Sequence, residues 1–149
     1  EYMRKFDDLF FAINFATEAI SLTAANVVLD IYKEIDIPLS LHKKGGRLKK
    51  EMQQLLKLYH LNEIFDIQGM DPRPILGFKN NLESNIVKNK EDTIDSLVYT
   101  IIEGFASRNI LSNTSFFVCD AHTEDEITKC IFTFDLVCKE LSELLEKQQ

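Results

Sequence analysis

Residues Phe10–Glu34, FFAINFATEAISLTAANVVLDIYKE, predict a helix from Glu18 onward that is apolar on almost every side. The residues that leave little room for a solvated face are Ala19, Ile20, Leu22, Ala24, Ala25, Val27, Val28, Leu29 and Ile31. A helix that is apolar all round is usually buried. We therefore expect a core helix that neighbouring elements cover on more than one side.

The segment before this helix has polar side chains suited to a helix start. Asn14 and Thr17 lie where the first turn leaves backbone N–H groups without partners inside the helix. Such a start is also a natural binding site for an anion. For Asn14, both a capping and a binding role stay open. For Thr17 and Glu18, capping or placement in the first turn is a sufficient explanation.

The composition favours one globular domain and argues against nucleic acid as the main partner. The chain has 149 residues, of which 45% are hydrophobic, enough for a domain with a real core. Its net charge of -7 opposes phosphate binding along a nucleic acid, which needs a basic surface. We find no apolar run of membrane-spanning length and no secretory signal. Because the chain begins at Glu1 rather than methionine, we expect a piece of a longer protein.

The cysteines favour a reducing, cytoplasmic setting without a metal site. Cys119, Cys130 and Cys138 make an odd set that contains no CxxC spacing. Cys130 and Cys138 fall on one predicted helix, and we interpret them as small buried hydrophobic residues rather than metal ligands.

A second helix is predicted after the first. Pro38 breaks the chain, and Ser40 is a suitable cap for a helix at Leu41–Leu61. The two glycines at 45 and 46 lower its helix propensity, which indicates a packing role such as close approach to another helix. We expect its basic residues to form a solvated face: Lys43, Lys44, Arg47, Lys49 and Lys50.

The remaining elements predict a small sheet and two more helices. The apolar residues of Ile64–Ile67 and Ile75–Phe78 flank a glycine- and proline-containing turn, which is typical of a hairpin. A helix at Glu91–Ser107 precedes a short strand at Ser115–Cys119. The last helix follows, running to Glu146. We therefore expect an α+β or two-layer α/β fold, with helices packed on a small, mostly antiparallel sheet of three strands.

The start of the last helix and the inward face of the helix before it are also predicted. Thr123 and Glu126 have the spacing of a capping box, which marks the start of that helix. We expect the helix at 91–107 to direct six apolar residues inward: Ile94, Leu97, Val98, Ile101, Ile102 and Phe105.

Three stretches resemble the C-terminal part of a class-III aminotransferase of the glutamate-1-semialdehyde aminomutase-like branch. They are Tyr2–Ala25, YMRKFDDLFFAINFATEAISLTAA; Phe65–Phe78, FDIQGMDPRPILGF; and Phe116–Ile131, FFVCDAHTEDEITKCI. The last is the most distinctive, and the three occur in the family's order over nearly the whole chain. The resemblance implies the small domain of a fold-type-I enzyme that uses pyridoxal phosphate (PLP).

The resemblance also implies a cofactor, partners and site residues. Family members are dimers that move an amino group between a donor and a keto or aldehyde acceptor, with PLP on a lysine. That lysine would precede the chain, so no catalytic residue is expected within it. Asn14, Phe15 and Thr17 would help bind the cofactor phosphate. Residues 1–16 would form the interface and phosphate-site segment, and residues 17–149 the small domain.

This chain departs from the family at the predicted phosphate site. Asn14 stands where the family usually has threonine, and its side-chain amide can still donate a hydrogen bond. Ala16 and Thr17 replace two glycines, and each added side chain narrows the approach of a phosphate to the backbone. A diverged transaminase and a degenerate one both stay open.

Other polar residues have structural explanations that compete with functional ones. His122 beside the capping box is suited to a structural hydrogen bond, and also to acid–base chemistry. Arg73 in the hairpin turn is either solvated or able to bind a carboxylate substrate. His42 and His60 are expected on the surface.

The alternative to an aminotransferase fragment is a free-standing helical protein-interaction module without catalysis. The negative net charge and the lack of a catalytic grouping of side chains fit that alternative. We expect neither a membrane nor a nucleic acid as partner in either case.

Overall fold

The computed structural model describes residues 18–79 and 90–146. Contacts divide the chain into two units, Glu1–Ile37 and Pro38–Gln149, and we describe each by itself. Within the described ranges the elements follow in this order: α1 (Ala19–Glu34), α2 (Ile37–Leu58), β1 (Phe65–Gln68), β2 (Ile75–Phe78), α3 (Lys90–Ala106) and α4 (Glu124–Glu146). The predicted α+β class is confirmed, whereas the division at residues 16 and 17 stays a prediction.

The first unit contains α1, which begins after Glu18 and ends at Glu34, as the sequence predicts. None of its 16 residues is buried, and Ile20 is 77% exposed. The prediction of a buried core helix is therefore wrong for this chain. An apolar pattern predicts that a helix needs a cover, but it does not say which part of a molecule supplies that cover.

The second helix begins earlier than predicted. It starts at Ile37, which places Pro38 in the first turn, where a missing N–H leaves no intrahelical bond unmade. Ser40 consequently lies inside the helix and does not cap it. Its hydroxyl instead donates to Asp120 Oδ1 at 2.5 Å.

Gly45 explains why α2 tolerates two glycines. A Cβ at this position would lie 1.9 Å from the backbone carbonyl oxygen of Asp71, in the turn between β1 and β2. The predicted packing role is confirmed, but the neighbour is the hairpin turn rather than another helix.

The hairpin forms as predicted, with antiparallel pairing of Phe65 with Phe78 and of Gln68 with Ile75. Gly69 begins the turn with φ of 78°, a conformation that glycine adopts without strain. The two phenyl rings of Phe65 and Phe78 lie 4.9 Å apart, centroid to centroid.

The predicted third strand is an extended segment joined to β2 by a single bridge, Ile75 with Ser115. The described residues therefore form a sheet of two strands, and a three-stranded sheet is not shown. Pro72 and Pro74 accept hydrogen bonds from this segment through their carbonyl groups. Because proline has no N–H, neither residue can donate a hydrogen bond to the segment in exchange, and the ladder of backbone hydrogen bonds ends here.

The core of the second unit lies between α2, the hairpin, α3 and α4. Phe105 and Phe134 are fully buried, with ring centroids 6.3 Å apart. Phe116 of the extended segment lies 5.2 Å from Phe105. Of the residues of α3 predicted to face inward, Ile102 is 38% exposed, so that part of the prediction is wrong. Along α4, four apolar residues of one face are buried in this core: Ile127, Phe134, Val137 and Leu141.

Candidate functional site

The residues predicted to bind the cofactor phosphate, Asn14, Phe15 and Thr17, lie outside the described residues. The described residues begin directly after them, at Glu18, which is the N-cap of α1. Its side chain makes no capping hydrogen bond, and its Oε2 atom accepts from the Ser21 hydroxyl at 2.9 Å. The first-turn N–H groups are thus not satisfied by Glu18. Their chemistry, with the positive end of the helix dipole, fits a phosphate group.

A cavity of about 380 Å³ lies in the second unit, between the extended segment and the start of α4. Its wall combines apolar and polar side chains, among them Ile110, Phe117, Ser115, His122 and Lys129. This mixture is typical of pockets for small organic molecules, in which a few polar groups orient an otherwise apolar ligand.

His122 closes the turn at one end of this cavity. Its Nδ1 atom accepts a hydrogen bond from the Cys119 backbone N–H at 3.1 Å, and the backbone N–H of His122 donates to the Cys119 carbonyl at 3.2 Å. A neutral imidazole that accepts at Nδ1 carries its proton on Nε2. The structural hydrogen bond predicted for His122 is therefore present, and Nε2–H is left as a donor.

Arg73 lies against the extended segment. Its Nε atom donates to the Ser115 hydroxyl at 3.1 Å, and its guanidinium carbon lies 4.5 Å from the centroid of the Phe117 ring. This arrangement is a cation–π contact. The sequence suggested a solvated arginine or a carboxylate ligand, and neither description includes this packing.

The basic face of α2 holds two loops in place, so the prediction of a solvated face is wrong for three of its residues. Lys44 Nζ donates to the Asp120 carbonyl at 2.6 Å, and Lys49 Nζ donates to the Gly69 carbonyl at 2.6 Å. Arg47 contacts three side chains of α2 and α4: Glu51, Glu124 and Thr128.

The sequence contained a signal for part of this arrangement. Ser40, Lys44 and Arg47 follow the spacing of one helix face. All three reach residues in or after the turn at 119–124. The hydrogen bond that Arg47 donates to Glu51, and next the one that it donates to Glu124, raise the pKa of Arg47 above its ordinary value, because both stabilise the charged guanidinium.

Cys130 and Cys138 are not suited to nucleophilic chemistry. Burial raises the pKa of Cys130 to about 11 and that of Cys138 to about 12, so both thiols stay protonated at neutral pH. Cys138 is buried, as predicted, and Cys130 is half-buried. Over residues 18–79 and 90–146, no group of three or more His, Cys, Asp or Glu side chains is arranged to hold a metal ion.

His42 and His60 are both exposed, as predicted, and His42 Nδ1 lies 3.3 Å from Asp71 Oδ2. None of the described helices is long and apolar enough to cross a membrane.

A solved structure of a protein that carries PLP has the same fold over most of this chain. No protein-family model matches the chain, and no curated protein sequence matches it. The PLP internal aldimine form of the FumI protein of Sphingopyxis sp. MTA144 superposes with a TM-score of 0.68 over 91% of this chain. This chain has the fold of part of a PLP-dependent protein. The two sequences are 17% identical, and the chain spans 30% of the FumI chain.

Proposed function

We propose that this chain is the small-domain part of a PLP-dependent aminotransferase or aminomutase of the class-III, glutamate-1-semialdehyde aminomutase-like kind. The observation that carries the proposal is the fold shared with FumI over 91% of the chain. The three sequence stretches that resemble the family support it independently, because they follow one another in the family's order.

The residues of this chain would bind the cofactor rather than perform the chemistry. Asn14, Phe15 and Thr17 would contact the phosphate of PLP, beside the first-turn N–H groups that follow Glu18. Bound PLP supplies an electron sink for bonds to the amino-bearing carbon. The lysine that carries PLP would lie outside the 149 residues, so the chain alone would be inactive.

The proposal extends to the setting and partners of the longer protein. Its reaction would transfer an amino group between a small-molecule donor and a keto or aldehyde acceptor. We propose a cytoplasmic homodimer in which residues 1–16 reach the phosphate across the interface. The free thiols and the net charge of -7 fit such a setting, with neither nucleic acid nor membrane as partner.

One observation favours the alternative of a protein-interaction module without catalysis. The exposed face of α1 carries large apolar residues, including Leu22, Val27 and Val28, each about half exposed or more. Apolar residues exposed in this number mark a surface that another protein surface covers. In an aminotransferase the cover would be the rest of the enzyme, and in an interaction module it would be a separate partner.

The test is cofactor binding by the longer protein. We expect the protein encoded by the complete reading frame to absorb as a PLP protein and to release PLP more readily after Asn14→Ala. The matched control is Asn26→Ala, which changes an exposed asparagine inside α1. A protein that takes up no PLP, or one in which both variants behave alike, would favour the interaction module or remove Asn14 from the phosphate site.

A further inference from the structure

The cavity of about 380 Å³ between the extended segment and the start of α4 has an apolar part and a polar part. Side chains of α2, of the chain after α3 and of the extended segment form the apolar part, among them Leu48, Ile110, Leu111, Phe117 and Val118. The polar part consists of Asn109, Ser115, His122, Glu126 and Lys129. Such a wall suits a ligand that is apolar at one end and polar at the other.

Three polar side chains of the wall have a donor group left over. The Nε2–H group of His122 forms no hydrogen bond among the described residues, because Nδ1 is the atom that bonds to the Cys119 N–H. The Ser115 hydroxyl accepts from Arg73 Nε at 3.1 Å, and its own proton goes to none of the described residues. The Lys129 ammonium likewise has neither a hydrogen bond nor an ion pair within the described residues.

The charges at the cavity favour an anion. Lys129 is part of the wall, and the guanidinium carbon of Arg73 lies 4.5 Å from the centroid of the Phe117 ring, which is also part of the wall. Glu126 is the opposing charge, but its Oε2 atom already accepts from the N–H and the hydroxyl of Thr123, at 2.7 and 3.0 Å. Two positive charges therefore stand against one carboxylate that already has donors of its own.

We propose that this cavity binds a small organic acid that carries one carboxylate and one apolar group. The carboxylate accepts hydrogen bonds from Lys129, from the Nε2–H of His122 and from the Ser115 hydroxyl. Hydrogen bonds between charged groups are stronger than neutral ones, so Lys129 contributes most to affinity. The apolar group packs against the rings and branched side chains of the other part of the wall. The cavity volume falls within the range of about 300–1,000 Å³ that is typical of small-molecule pockets.

This inference goes beyond the proposed function and does not rest on it. Every residue that lines the cavity lies in the unit Pro38–Gln149, and none belongs to the predicted phosphate site at residues 14, 15 and 17. Binding of the acid requires no PLP. A chain that binds the acid without PLP, and a longer protein that binds PLP without the acid, are therefore separate results.

The test is a titration of the 149-residue chain with 3-phenylpropionate, followed through the backbone amide resonances. We expect saturable binding with a dissociation constant of about 1 mM, a value suited to a ligand of this size. The amide resonances that shift should be those of the cavity wall, including Ser115, Phe117, His122 and Lys129. The absence of saturation by about 10 mM, or shifts confined to other residues, would overturn the proposal.

Two further ligands test the two halves of the proposed chemistry on the same unmodified chain. The neutral amide 3-phenylpropionamide keeps the apolar group and loses the charge, and acetate keeps the charge and loses the apolar group. Each should bind about tenfold more weakly than 3-phenylpropionate. An amide that binds as tightly as the acid shows that no carboxylate is recognised. Acetate that binds as tightly shows that the apolar wall is not used.

A pair of lysine variants locates the positive charge. Lys129→Met removes the ammonium and keeps most of the length of the side chain, so it should weaken binding of 3-phenylpropionate about tenfold. The matched control is Lys139→Met, which changes an exposed lysine of the same helix that does not line the cavity, and it should leave binding unchanged. Equal affinities of the two variants would remove Lys129 from the site and contradict the proposal.

His122→Asn tests the second donor. The asparagine oxygen can take the place of Nδ1 as the acceptor for the Cys119 N–H, while the Nε2–H donor is lost. Binding should weaken about two- to tenfold, and unchanged binding would exclude His122 as a ligand contact. If this variant does not fold, the comparison of acid with amide on the unmodified chain decides. If the 149 residues do not fold by themselves, the protein encoded by the complete reading frame is titrated instead, with the same two lysine variants.

Discussion

Gly45 lies where α2 meets the hairpin turn, and the space there has no room for a side chain. We predict that Gly45→Ala lowers the free energy of unfolding by about 1–3 kcal/mol, because a Cβ would lie 1.9 Å from the Asp71 carbonyl oxygen. Gly46→Ala should raise it by about 0.5–1 kcal/mol through helix propensity.

Urea denaturation of the two glycine variants measures both effects. At Gly46 the new Cβ would lie 3.5 Å from Asp71 Oδ2, an ordinary contact. Equal effects of the two substitutions would contradict the close contact between α2 and the turn.

Glu126 makes the start of α4 sensitive to pH. Its Oε2 atom accepts from the Thr123 N–H at 2.7 Å, and the Glu126 N–H donates to Thr123 Oγ1 at 3.2 Å. The backbone hydrogen bond from Thr123, followed by the one from its hydroxyl, lowers the pKa of Glu126 below its ordinary value. The folded state therefore binds protons less readily here than the unfolded state.

The sign of the pH effect follows from that lowered pKa. The contribution of Glu126 is present above its unfolded pKa of about 4.5 and is lost as pH falls through the lower folded value. We predict that Glu126→Gln destabilises the chain at neutral pH and that its difference from the unmodified chain shrinks in acid. Denaturation midpoints measured against pH check this, with Glu143→Gln as the matched substitution, because Glu143 is exposed on the same helix and lies outside the capping box.

At the scale of elements, α3 and α4 pack through the ring of Phe134. This side chain is fully buried, whereas Phe132 on the same helix is 61% exposed. We predict that Phe134→Ala costs about 3–5 kcal/mol in unfolding free energy, because it removes buried apolar area and leaves a cavity. Phe132→Ala should cost less than about 0.5 kcal/mol. Similar midpoints for the two variants in thermal denaturation would contradict the assigned face of α4.

The elements that the sequence predicted well depend on signals between near neighbours. Thr123 and Glu126 mark the start of α4 within four residues, and the turn of the hairpin is set by Gly69 and the prolines beside it. The segment predicted as a third strand forms only a single bridge, and the reason is also local. Pro72 and Pro74 lack the N–H groups that a ladder of backbone hydrogen bonds needs.

Contacts between distant residues could not be predicted in the same way. Lys44 bonds to a carbonyl 76 positions away. The sequence places it on one helix face with Ser40 and Arg47, but it does not say which segment that face contacts. The candidate site shows the same limit. Periodicity indicated the helix start after Glu18, but only resemblance to a family suggested a phosphate there, because N–H groups at a helix start are common to every helix.

At the scale of the whole molecule, the apolar surface of α1 and the length of the chain point in the same direction. The helix has no buried residue, and the chain spans 30% of a PLP-dependent protein of the same fold. A helix with that composition needs a cover. Under the proposed function, the remainder of a longer protein would cover it.

The most direct test is to purify the protein encoded by the complete reading frame and measure its bound PLP by absorbance. We predict about one PLP per chain, attached to a lysine outside these 149 residues, with weaker retention after Asn14→Ala than after Asn26→Ala. A reading frame that begins near Glu1, or a longer protein that binds no PLP when the cofactor is supplied in excess, would contradict the assignment to a PLP enzyme.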